Sequence, residues 1–187
     1  MFSRRQILGA SIPLSAAMVL GACTTTQDGN VTTHTLNVAK IKAYAQAGLN
    51  AAATVTSVLA LNPSFTVFVT PIRALADILT NTLEEFTAVS GDAITVSYDD
   101  TSIATLVNTL IDDLDKILIT IGSVLLTIAK GTFGLGDSAV GKITVARDAL
   151  ATLISVFKIL VGGFIATASG GESTMAEAEA FGALNVQ

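Results

Sequence analysis

The chain has 187 residues, one domain's length and enough to bury a real core. It is apolar (51% hydrophobic residues, mean hydropathy +0.66) and acidic, with 15 Asp and Glu against 10 Lys and Arg for a net charge of −5. Scattered cations on a negative surface repel a phosphate backbone, which argues against a nucleic-acid partner, and one cysteine, Cys23, cannot form an internal disulfide, so compartment is read from the targeting segment instead.

Residues 1–22 read as a processing segment. Ser3-Arg4-Arg5-Gln6-Ile7-Leu8 is followed by a soft apolar run to Leu20, interrupted by Gly9, Ser11, Pro13 and Ser15 and too short to span a bilayer. The run closes on Leu20-Gly21-Ala22-Cys23. Small residues before a cysteine suit a peptidase site, and the thiol is the nucleophile that can take up a diacylglyceryl group. The first stretch resembles the twin-arginine export motif, Ser/Thr-Arg-Arg-x-apolar-Leu, with Ser3, Arg4, Arg5, Ile7 and Leu8 at its positions; Ile7 stands where Phe is usual and Gly9 where Lys often follows. The second resembles the lipobox of bacterial lipoproteins, formed here by Leu20, Gly21, Ala22 and Cys23. The resemblance implies export, acylation of Cys23 as the first mature residue, and anchoring on the periplasmic side of a membrane. Thr24, in place of Asp, favours the outer membrane by the sorting rule of that family. The competing reading is a general-secretion signal with an inert cysteine after a plain cleavage site.

Residues 23–36 hold the cysteine and a Thr-rich stretch without apolar periodicity, expected to be a flexible tether with a reach of about 45 Å. His34 then lies in solvent near its end. Residues 37–187 form the folded domain, in which four long helical patterns predict an all-α, antiparallel four-helix up-down bundle with a short C-terminal helix. The first pattern, Asn37 to Leu61, carries Val38, Ile41, Ala45, Gly48, Ala52, Val55 and Leu59 at spacings of three and four, with small residues at mid-seam that invite a neighbouring backbone. No charge falls between Ala43 and Ile72, but Gln46, Asn50, Thr54, Thr56 and Ser57 argue against a membrane span.

Asn62-Pro63-Ser64 breaks the chain. The second helix is expected from about Ser64 to Val89 with Pro71 inside it. The competing reading starts the helix at Thr70 and leaves 65–69 extended. Residues 93–98 alternate like a strand, either pairing with an extended 65–69 or closing one end of the bundle as a connection. From Asp100 to Lys130 runs the strongest pattern, an unbroken heptad seam of Ile103, Val107, Leu110, Leu114, Ile117, Ile121, Val124 and Ile128, around which the rest of the chain is expected to be organised. Asp99-Asp100-Thr101-Ser102 supplies its N-cap. A fourth seam (Ala139, Ile143, Ala146, Leu150, Leu153, Phe157, Leu160, Phe164) extends to about Ser169, Gly170-Gly171 stops it, and Thr174-Met175-Ala176-Glu177 is a capping-box pattern for the short last helix.

No reactive constellation emerges. Gly136 to Lys142 matches a phosphate loop, but Ile143 stands where Ser or Thr must hold magnesium, and helix, not strand, precedes it. Asp112, Asp113 and Asp115 fall at f, g and b of the heptad, on the expected solvent side. The E-x-x-H pairs of di-iron bundles are missing. The expectation is therefore a non-enzymatic, lipid-anchored helical module without cofactor or metal that binds another envelope protein or itself. The alternative is a carrier of a small apolar ligand or lipid in a cavity between helices; a cofactor-loaded enzyme is a third reading, disfavoured by the lack of core Cys and His. Ile119 and Leu126, at f on the long helix, are surplus apolar residues and form the candidate interaction face; Ile159 and Ile165, at the end of the fourth helix, are a second surplus, expected to meet the membrane or the docked C-terminal helix.

Overall fold

A computed structural model describes residues 23–28, 31–130, 135–162 and 173–186. The bundle helices are α1 (Val38–Leu59), α2 (Thr66–Ser90), α3 (Thr101–Ala129) and α4 (Asp137–Gly162), with α5 (Ser173–Ala183) as the short last helix. A small antiparallel sheet of β1 (Cys23–Asp28), β2 (Val31–Asn37) and β3 (Thr95–Ser97), in that order, lies at one end. The four long helices alternate in direction, and each packs on the next around a common core, α4 closing against α1. The architecture is the expected all-α bundle.

Local chemistry sets the boundaries. Asn37 caps α1 by accepting from the Lys40 amide at 3.0 Å. Asp100 caps α3 by accepting from the amides of Ser102 and Ile103 at 2.8 and 3.2 Å. All eight seam residues of α3 are buried, as are Ile143, Ala146, Leu150, Leu153 and Phe157 on α4. The longer form of α2 is the one observed: a 3-10 turn over Pro63–Phe65 leads straight into it, and Pro71 sits inside, exposed, where one lost backbone bond faces water. Gly91, at φ +54°, ends the helix.

Three expectations are corrected. The segment read as a tether is paired strand: β2 lies between β1 and β3, and Leu36 is 1% exposed. Its Thr-rich run is β-branched and suits a pleated edge, a signal that apolar alternation alone does not report. β3 accordingly has a partner, neither of those foreseen for it; Val38 N–H donates to Ile94 O and Tyr98 N–H to His34 O. His34 is half-buried within β2, and its backbone N–H donates to Asp99 Oδ2 at 3.0 Å.

The third correction concerns the centre of the fold. α3 has the cleanest seam, yet α1 is the helix the others surround. Beyond its predicted seam, Tyr44, Ala47, Ala51 and Val58 are also buried, so that α1 is covered toward α2 and α3 on one side and toward α4 and α5 on the other. Tyr44 stacks on Phe157 of α4 at 4.7 Å and meets Phe181 of α5 at 5.4 Å. The small residue at mid-seam serves a side chain and not a backbone: a Cβ at Gly48 would collide with Leu114 of α3.

Because Leu114 fills that central space, Leu114→Asp is expected to unfold the domain by burying an unpaired charge. Asp112→Ala, on the exposed face of the same helix, should change stability by about 0.5 kcal/mol or less. Urea titration followed by circular dichroism reads both, and equal losses would mean that the register of α3 is wrong.

Candidate functional site

The export motif (Ser3, Arg4, Arg5, Ile7, Leu8) and the first lipobox residues (Leu20, Gly21, Ala22) lie outside the described residues, as does Ile165. Cys23 opens β1, and its backbone is paired in register with Leu36, two residues before α1 begins. Adjacent strands lie about 4.8 Å apart. The position read as the acylation site is therefore held beside the base of the bundle, not at the end of a long leash.

The face formed by Ile119 and Leu126 is exposed, at 67% and 65%. Both residues line a groove of about 600 Å³ between α3 and α4, with Gly122, Ser123, Leu125 and Ala129 on one wall and Thr144, Arg147 and Asp148 on the other. The physical origin is the α3 sequence. From Ile117 to Ala129 it carries no charge on any face, while its base-proximal half presents Asp112, Asp115 and Lys116. The groove lies in the half of the bundle farther from Cys23, because α3 starts at the sheet end and runs away from it. Ile159 is also exposed, at 62%, toward the opposite end of α4.

Two buried carboxylates were not foreseen. Asp113, expected in solvent, is 2% exposed: Thr82 Oγ1 of α2 donates to its Oδ2 at 2.9 Å, and Lys116 Nζ to its Oδ1 at 2.8 Å. A g position flanks the seam, and here the neighbouring helix α2 covers it. The hydrogen bond and charge of Asp113 raise the Lys116 pKa above the ordinary lysine value. The sign is that of a raised base, so this contribution is intact at neutral pH and is lost only as pH climbs past the lysine range. Glu177, expected to complete a capping box, is 5% exposed and reaches across to α1 instead. It accepts from the Tyr44 hydroxyl and from Lys40 Nζ, the latter at 3.2 Å. This anchor, with Leu184 and the Asn50 amide donating to Leu184 O at 2.9 Å, seats α5 along α1. A signal for Glu177 did exist, since it is one turn from Phe181 on the face that docks; only the position of Tyr44 and Lys40 reveals its partner.

These groups tie helices together and do not converge on a reacting centre. Asp115 pairs with Lys158 of α4 at 2.6 Å, and Asp112 faces outward. Gly141 and Lys142 of the phosphate-loop match lie within α4, and the Ala139 and Val140 amides in its first turn donate to Gly136 O. Among the described residues, no three His, Cys, Asp or Glu side chains stand close enough to hold a metal ion, no buried side-chain nitrogen or oxygen lacks a partner, and no helix is long and apolar enough to cross a membrane. No protein family, curated protein or solved structure matches the chain.

Proposed function

We propose that this chain is a twin-arginine-exported bacterial lipoprotein, anchored through Cys23 on the periplasmic side of a membrane, the outer one by preference. Its bundle is a non-enzymatic protein-interaction module. The observation that supports the interaction reading is the exposure of Ile119 and Leu126 on the uncharged half of α3, beside an open groove. Two large aliphatic side chains left in water at i and i+7 on one helix cost solvation that a partner would recover, and contiguous patches of this kind mark contact surfaces. The anchoring part rests on Leu20-Gly21-Ala22-Cys23 and Arg4-Arg5. An acyl chain on Cys23 would hold the sheet end of the bundle close to the bilayer and point the α3–α4 groove away from it, toward other envelope proteins.

Cys23→Ala is expected to shift the protein from the membrane fraction to the soluble fraction, or to stall it unprocessed; a wild-type N-terminus without acyl mass would defeat the anchoring reading. Arg4→Lys combined with Arg5→Lys should leave the precursor inside the cell, whereas normal export of the pair would assign it to the general-secretion route. A photo-reactive phenylalanine analogue at Leu126 should give a discrete covalent adduct in intact cells, and the same analogue at Asp112 should give far less. An equal and weak yield at both positions would mean that the groove meets nothing.

A further inference from the structure

We propose that the groove between α3 and α4 is the self-association surface of this protein, and that its occupant is the same groove of a second copy about a two-fold axis. The inference rests on the interaction reading above and names the partner. Three observations on the surface carry it.

First, Ile119, Gly122, Leu126 and Ala129 all line the groove and recur at spacings of three, four and three, a second seam on the outer side of α3. Large and small residues alternate along it. The space in front of Gly122 is open, since a Cβ there would meet nothing within 4 Å. Ile119 and Leu126 are therefore apolar ridges, and the open space at Gly122 between them leaves room for side chains of a facing helix. Following the same line toward the base, the next residues are Asp115, Asp112 and Asn108, so the seam stops where the charged half of the helix starts.

Second, the charges on the groove are self-complementary. Its charged lining residues are Arg147 and Asp148, adjacent on α4, of opposite sign, and 46% and 58% exposed in their side chains. A two-fold contact sets each residue of one copy against its symmetry mate's surroundings, so an adjacent plus and minus pair can exchange partners, Arg147 to Asp148 across the axis and the reverse. Their sum is zero. That matters for an acidic chain, because two copies repel over much of their surface and a patch without net charge lets them approach at lower cost.

Third, the position suits copies held in one membrane. The groove runs along the bundle in the half away from Cys23. An axis parallel to the helices keeps both cysteine ends on the same side, as anchors in a single bilayer require, and lays the two grooves face to face with Arg147 and Asp148 of each copy at one height. Asp112 and Asp115 lie below the contact, where Asp115 is already held by Lys158.

The test uses full-length chains carrying two different affinity tags, co-expressed and extracted together in mild detergent. Wild-type copies should co-purify, and Ile119→Lys with Leu126→Lys should abolish this while helicity is kept. R147D expressed with itself and D148R expressed with itself should each lower recovery by about tenfold, because like charges then face each other. R147D expressed with D148R should restore it, since one copy now supplies two acidic and the other two basic groups. Restoration in that mixed pair alone is the signature of contact across the axis. Failure of wild-type copies to co-purify, or equal recovery in all four pairings, overturns the proposal. If the Leu126 adduct forms with a different protein while the copies remain separate, the interaction reading stands and self-association falls.

Discussion

The burial of α1 on two sides is the constraint from which the rest of the architecture follows. A helix covered toward α2 and α3 on one face and toward α4 and α5 on the other has little surface left for charge, and after Lys42 it carries none. Its alanines and Gly48 keep it slender, so four neighbours can approach one axis. Large side chains from those neighbours then fill the space: Leu114 over Gly48, and Phe157 and Phe181 against the Tyr44 ring. A slender buried helix also explains the high apolar content without a membrane span. The polar groups of α1 that remain inward find partners, Thr56 to the Ala52 carbonyl and Tyr44 to Glu177.

Such a core is held by shape, and shape alone leaves helix registers loosely specified. The two buried carboxylates add direction. Asp113 reaches Thr82 and so joins α3 to α2 at one height; Glu177 reaches Tyr44 and Lys40 and so joins α5 to α1 at another. Each carboxylate gives up hydration on entering the interior and is compensated only when its particular donors are in place. An alternative register would strand a buried charge, which penalises misalignment more than the correct pairing stabilises the fold. Asp115 with Lys158 contributes a weaker, partly exposed link between α3 and α4, the interface that remains open at the groove.

The sheet gives the proposed anchoring a mechanical consequence. A flexible leash would let the bundle sample a wide volume above a bilayer and any orientation. Paired strands do not. β1 is held to β2, β2 to β3, and β2 runs into α1, so the base of the bundle is continuous with the strand that starts at Cys23. Orientation follows: a lipid on that cysteine would fix which end of the molecule is near the membrane and leave the uncharged half of α3 remote from it. Surfaces presented in a common orientation meet more often in productive geometry than freely tumbling ones, which lowers the entropic cost of association in the plane.

Much of this architecture was legible in the amino-acid sequence, because helix formation and seam burial are local consequences of spacing. Every predicted seam residue of α3 is buried, Asp100 caps it, and Pro71 is tolerated within α2 as expected. Ile119 and Leu126 were identifiable as surplus because a heptad register assigns them to the side opposite the seam. What the sequence did not disclose is what depends on which distant elements become neighbours. Residues 23–36 look like polar linker, yet β1 pairs with β2 along its length, and β3, about sixty residues on, holds Thr35–Asn37 from the other side and ties the pair to the bundle. Asp113 looks solvated until α2 covers the flank of the seam, and Glu177 looks like a capping residue until Tyr44 and Lys40 offer it a better-placed pair of donors. The groove itself belongs to this second kind, since the wall that faces α3 is contributed by Thr144, Arg147 and Asp148 of α4. Periodicity tells which side of a helix seeks cover; only the tertiary arrangement decides what covers it and what stays in water, because that choice is made by contacts between residues far apart in the chain.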